Sequence, residues 1–320
     1  MLLAGGRYFM FDNYVQILRN EFRGYNADRL AKDFSAGMTV AAVALPLALA
    51  FGVGSGADAA AGLITAIIGG MVMSLFSGAS FQISGPTGAM SAVLAIVVAR
   101  YGIDGLFAVS FMAGLILLLL GIFKLGKFIS LIPAPVITGF TSGIAVIIAL
   151  GQIDNMFGTV SRGETALERL VSYYTLGFEI NYAALLIAFI VIGVMVFWPK
   201  KLAEKLPSSL AAIAIAAIIS AVCGFDVPTV GAIPRSLVSD ARLSFSGIDF
   251  FRLPAMISPA ITIAALGMIE SLLCGASAAR MKSEPFHADQ ELIAQGVGNI
   301  LLPFFGGVPA TAAIARTSVA

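Results

Sequence analysis

Charge is what this sequence has least of. Asp, Glu, Lys and Arg make up 12% of its 320 residues, against about 25% in an ordinary soluble domain. A large soluble core could not clothe itself in polar surface with so few. Cysteine is scarce too. Cys223 and Cys274 both lie in apolar surroundings, which excludes a disulfide framework and leaves no metal-ligand spacing. The single histidine, His287, sits in the polar stretch MKSEPFHADQE and reads as a surface residue rather than a ligand. The sequence has no phosphate-binding loop, which argues against ATP-driven work by this chain. It has no nucleophile–base arrangement, so an enzyme reading finds no site, and no cofactor is implied. A net charge of +1 gives no basic footprint, and no nucleic-acid partner is expected. Residues 1–33 mix charge with aromatics and lack a compact apolar core followed by a cleavage site, so no signal peptide is read there.

What the sequence has instead is apolar length. Hydrophobic residues are 59% of the chain and the mean hydropathy is +0.96. Several runs approach the ~20 residues that cross a bilayer core at 1.5 Å per residue. The expected fold class is an all-α polytopic membrane protein. Ten spans are read: 34–53, 59–77, a short broken one at 87–99, 105–123, 135–151, 182–198, 208–224, 254–274, 291–305, and the start of a tenth at 309–320. Residues 1–33 form an amphipathic N-terminal segment suited to a cytoplasmic membrane surface, ahead of a transmembrane domain over 34–320. The loops 152–181 and 225–253 are longer. GETALERLVSYY in the first reads as a loop helix, either solvated or interfacial. With the N-terminus inside, the inner segments hold twelve Lys and Arg against six outside, and the nineteenth, Arg316, lies in the last span. The expected location is a cell membrane, the bacterial inner membrane, with the N-terminus cytoplasmic.

The stretch FQISGPTGAM breaks this pattern. Ser84, Gly85, Pro86, Thr87 and Gly88 are poor residues for a helix interior, and the apolar run after them is too short to cross. Irregular backbone survives at membrane depth only where protein buries it or a cavity borders it. QISGP is therefore expected to run extended, with a half-helix starting at Thr87 or Gly88, since Pro suits a first turn. Its free N–H groups and positive dipole end would suit an anion. GGVPATAAIAR repeats the device near the end. Alone, each cluster also reads as a plain loop. Together they fall in spans three and ten, seven apart, which gives opposite orientations. Paired interrupted segments in two inverted halves point to a transporter site.

Glu270 is the one acidic residue read as lying well inside an apolar span, in ITIAALGMIESLLCG. A carboxyl there is costly and normally faces a cavity or a partner. It is the candidate proton carrier, with a helix-end Glu that reaches water as the alternative. Arg316 stands about two turns past a helix start at Pro309.

DFSAGMTVAAVALPLALAFGVGSG, FQISGPTGAM, ALGMIESLLCG and DQELIAQGVGNILLPFFGGVPATAAIARTSV together resemble the sulfate permease (SulP) family of anion transporters. The resemblance implies two inverted seven-span repeats with core and gate domains, of which this sequence reaches the tenth span without a STAS domain. It implies an anion, bicarbonate, sulfate or a carboxylate, held between half-helices three and ten by Phe51, Thr87, Gly88, Ala313 and Arg316, with Glu270 beside it as the ion-coupling residue. It implies a homodimer at full length in a lipid bilayer. Sodium-using relatives carry an Asp on span eight and a hydroxyl one turn later. Here the pair is Glu270 and Cys274, and a thiol is a poor ligand for a hard cation, so proton coupling is expected over sodium. The rival readings are sodium-coupled bicarbonate uptake and a channel-like or voltage-responsive anion protein.

Overall fold

A computed structural model describes residues 14–19, 21–127, 134–162, 166–199, 202, 206, 208–227, 229, 236–244 and 253–318. Residues 1–13 and Asn20 of the N-terminal amphipathic segment, Arg235, Arg252 and Lys200, Lys201 and Lys205 lie outside the described residues.

Helix α1 (Ala27–Gly54) starts earlier than the hydropathy suggests because Asn26 caps it, accepting from the Arg29 N–H at 3.0 Å. Helix α2 (Ala59–Phe76) is capped by Asp58, which accepts from the Ala61 N–H at 2.7 Å, and carries a π-helical turn over Thr65–Gly69. Helix α3 (Gly88–Ile122) would be ~52 Å long if straight. Gly102 breaks it at φ +72°, a conformation that suits glycine. The break yields a half-helix over 88–101 and a full span over 103–122, close to the expected third and fourth spans.

Helices α4 (Ala134–Phe157), α5 (Ala166–Leu176), α6 (Tyr182–Phe197) and α7 (Ser208–Cys223) follow. The loop helix forms as α5, with Leu167, Val171 and Tyr174 exposed along one side. Then come α8 (Leu253–Lys282) and α9 (Ala288–Phe305). Among the described residues, α1, α2, α3 and α8 are long and apolar enough to cross a membrane, and α6, α7 and the 145–157 part of α4 are shorter apolar helices.

Lipid tails are as apolar as leucine, so burial alone does not drive spans together. Close approach through small residues does. The GLITAIIGG stretch of α2 supplies it, because a Cβ on Gly62 would collide with the Ala48 carbonyl of α1. The shared core joins Met90, Leu94 and Val97 of the half-helix to Leu106 and Leu117 after the kink, Ile263 and Leu272 of α8, and Leu292 of α9. The half-helix is thus fixed against α8 and α9, the elements that carry the remaining site residues.

Candidate functional site

Two short extended segments meet inside this core. Strand β1 (Ser84–Gly85) pairs antiparallel with β2 (Thr311–Ala312), Ser84 opposite Ala312 and Gly85 opposite Thr311. Antiparallel pairing makes the two chains leave the ladder in opposite directions, as the inverted spacing of spans three and ten requires. One continues into α3 at Gly88. The other continues into α10 (Ile314–Thr317).

Several polar groups of the crossover backbone are met by protein, as irregular backbone at membrane depth needs. Pro86 has no N–H to satisfy. Thr87 caps α3, accepting from the Met90 N–H at 3.3 Å. Thr65, in the π-helical turn of α2, accepts from the Val308 N–H at 2.7 Å. Asn299 of α9 accepts from the Ala310 N–H at 2.8 Å and donates to the Ala310 carbonyl at 2.9 Å. Ser271 accepts from the Ala312 N–H at 3.2 Å, and the Ala313 N–H donates to Ile83 at 3.0 Å.

Every residue expected at the site comes to this place. Glu270 Oε2 accepts from Thr87 Oγ1 at 3.0 Å and from Thr311 Oγ1 at 2.5 Å, so one carboxyl oxygen joins both crossovers. A Cβ placed on Gly88 would lie 3.1 Å from Phe51 Cε1 of α1 and 3.2 Å from Ile148 Cδ1 of α4. Ala313 is the residue before α10 and is extended. Arg316 is 2% exposed, and its guanidinium donates to the Pro86 carbonyl. Its place corrects the expectation of two turns past a helix start. Residues 310–313 are held extended by Asn299 and the ladder, so the helix begins at Ile314 and Arg316 falls in its first turn. Among the described residues, no cluster of three or more His, Cys, Asp and Glu side chains is gathered as for a metal ion.

The sulfate permease family profile matches residues 30–320. The chain belongs to the sulfate permease family. It is 38% identical over 310 residues to YvdB of Bacillus subtilis, a candidate sulfate transporter, covering 93% of this chain and 57% of that one. It is 34% identical over 300 residues to the bicarbonate transporter BicA of Picosynechococcus, covering 90% of this chain and 52% of BicA. Thus this sulfate permease family chain spans about half the length of these relatives, which are named as transporters and not as enzymes. The solved transmembrane domain of a cyanobacterial BicA superposes with a TM-score of 0.79 at 32% identity, over 93% of this chain and 76% of that one. The murine solute carrier 26 family member A9 anion transporter, in its inward-facing state, superposes at 0.83 and 17% identity, over 98% of this chain and 56% of that one, which speaks to the fold. The all-α polytopic architecture expected from the sequence is therefore the one this sulfate permease family chain adopts.

One prominent residue escapes sequence reading. Glu270 is not the sole acidic side chain set into a span, because Glu291 of α9 is 0% exposed. It stands at the edge of the apolar window, where a helix-end carboxylate would normally reach water. Instead the 77–82 link folds over it. Glu291 Oε2 accepts from Ser77 Oγ at 2.8 Å and the Gly78 N–H at 3.1 Å, and Oε1 accepts from Gln82 Nε2 at 2.8 Å and Gln295 Nε2 at 2.7 Å. The two glutamines turn their N–H groups to it and leave Gln82 Oε1 and Gln295 Oε1 buried without a partner, at about 1–3 kcal/mol each. The hydroxyl partners of Glu270 were equally out of reach, and the residue one turn on, Cys274, faces Thr317 Oγ1 at 3.4 Å instead.

Proposed function

We propose that the protein is a secondary active transporter of a small anion, of the bicarbonate, sulfate or carboxylate class, working by alternating access. The observation that carries this reading is the antiparallel β1–β2 ladder, which sends a helix out of each interrupted segment in opposite directions beside Glu270. Free N–H groups at the start of a helix favour negative charge. Gly88 keeps a side chain off the first turn of α3, where Phe51 and Ile148 pack against it as an apolar wall. Thr87, Gly88, Phe51, Ala313 and Arg316 surround the anion in this reading. Arg316 contributes positive charge while its hydrogen bond to Pro86 ties α10 to the start of α3.

Glu270 is the coupling residue in this reading, and the proton the coupling ion. A protonated Glu270 beside a monovalent anion brings no net charge into the membrane, so each ligand helps the other bind, by reciprocal linkage. The working unit is a homodimer in the bacterial inner membrane, with the N-terminus cytoplasmic by the Lys and Arg count. Sodium coupling has one observation in its favour, because the Thr87 and Thr311 hydroxyls put hard oxygen atoms beside Glu270. Uptake of bicarbonate and of sulfate into proteoliposomes holding the intact protein, under an inward proton or sodium gradient, tests all of this. Saturable uptake that follows the proton gradient supports the proposal. Sodium dependence selects the second reading, and non-saturable flux would mean a channel.

A further inference from the structure

We propose that Glu291 is a positioning residue for the anion site, setting where the first turn of half-helix three stands. The inference rests on the transporter reading above. Glu291 touches none of Phe51, Thr87, Gly88, Ala313, Arg316 or Glu270 through its four hydrogen bonds. It acts on the segment that leads to them.

All four of its partners are donors, and all are uncharged: Ser77 Oγ, the Gly78 N–H, Gln82 Nε2 and Gln295 Nε2. Three belong to the link between α2 and β1. The fourth, Gln295, also donates to Ser84 Oγ on β1 at 2.8 Å. Gln82 Nε2 reaches the Ser271 carbonyl of α8 at 3.3 Å. One buried carboxyl therefore ties the link, β1, α8 and α9 together. From Ser84 the chain reaches the Thr87 cap in three residues, through Gly85 and Pro86. Gly85 is paired in the ladder, and the Pro86 carbonyl is held by Arg316. There is little slack between the carboxyl and the helix start.

The buried, unpartnered Gln82 Oε1 and Gln295 Oε1 indicate which group governs the cluster. Each amide forgoes a partner for its oxygen and gives its N–H to Glu291. An ordinary packing cluster would relax to satisfy those oxygens. This one has three fixed N–H donors, from Gly78, Gln82 and Gln295, converging on one carboxyl, with the Ser77 hydroxyl shared between it and the Ala79 carbonyl.

The variant Glu291→Gln keeps the shape and places an NH2 against donors. Its Km for anion uptake is expected to rise about tenfold or more, the effect of leaving one buried donor unmatched, with Vmax per molecule changed far less. The exchange variant Glu291→Gln with Gln295→Glu returns a carboxylate to the network one helical turn on, and is expected to recover much of the Km. Should Glu291→Gln fail to reach the membrane, Gln295→Leu keeps Glu291 with its three partners in the link and removes the bond from Gln295 together with the relay to Ser84, and its Km is expected to rise as well. The measurements are bicarbonate and sulfate uptake by the intact protein in proteoliposomes, normalised to inserted protein. An unchanged Km in Glu291→Gln, or in Gln295→Leu where that variant has to stand in, with only the amount of protein reduced, overturns the proposal. Absence of anion uptake by the unaltered protein refutes the transporter reading instead, and is a different result.

Discussion

Replacing Asn299 with Leu removes one side chain of similar size and strips two backbone groups of their partners. Asn299 is 2% exposed and Ala310 is 0% exposed. The amide accepts from the Ala310 N–H at 2.8 Å and donates to its carbonyl at 2.9 Å. No other group replaces it in a leucine variant. Each orphaned buried group costs about 1–3 kcal/mol, so the pair costs about 2–6 kcal/mol. That is a large part of the ~5–15 kcal/mol that ordinarily holds a folded state together. Part of the loss is offset, because the amide itself no longer has to be buried. The lower end, about 2 kcal/mol, is the firm expectation. The assay is reversible unfolding in mixed detergent micelles, with Asn155→Leu as control. Asn155 is exposed and its amide donates to Gln152, and such surface changes stay within about 0.5 kcal/mol. If Asn299→Leu proves as mild as the control, water reaches crossover ten, or α9 does not hold it. The backbone accounting at the site then fails.

Gly88→Leu is expected to abolish anion uptake by the intact protein while membrane insertion is preserved, since its first added carbon already meets Phe51 and Ile148 at 3.1 and 3.2 Å. Normal uptake by that variant would remove half-helix three from the site. Thr65→Val is expected to weaken the fold by about 1–3 kcal/mol in the same micelle assay, because it leaves the Val308 N–H without its acceptor. Wild-type stability there would mean that the π-helical turn of α2 has no part in holding crossover ten. Glu270→Gln is expected to uncouple uptake from the proton gradient, leaving any residual flux indifferent to external pH. Uptake by Glu270→Gln that still follows the proton gradient would assign the coupling to another residue.

The fold was legible in the sequence where local chemistry decides it. Apolar runs gave the helices, four of them among the described residues long and apolar enough to cross a membrane, and Gly-Pro clusters gave the breaks, because no partner far along the chain is needed to make a run apolar or a proline unfit for a helix. The site was legible only in its backbone. Thr87 could be placed at a helix start from Pro86 and Gly88 beside it. That its hydroxyl meets Glu270 depends on a contact across 183 positions, and the Ser77–Glu291 pair spans 214. No periodicity records such pairings. Glu291 escaped for a further reason. A carboxylate at the edge of an apolar window is read as wet, and only the fold of the 77–82 link makes it dry.

The same limit bears on the coupling ion. By the family resemblance, Cys274 occupies the position of the second ligand beside Glu270, one turn along α8, and a thiol there argues against sodium. In the folded chain the thiol turns to Thr317, and the oxygen atoms beside Glu270 come from Thr87 and Thr311. The argument from Cys274 therefore loses its force. What remains for the proton is that a hydroxyl can either donate to a carboxylate or accept from a carboxylic acid, so both charge states of Glu270 keep a hydrogen bond with the same two threonines. A sodium ion would instead need Glu270 ionised and a lone pair from each hydroxyl turned toward it, with the hydroxyl hydrogens still on the carboxylate. Thr311→Val separates the cases. It removes one oxygen donor that sodium would need, so sodium-driven uptake would fall steeply. Proton-driven uptake, which retains Thr87 as partner for either state of Glu270, is expected to persist with altered pH dependence.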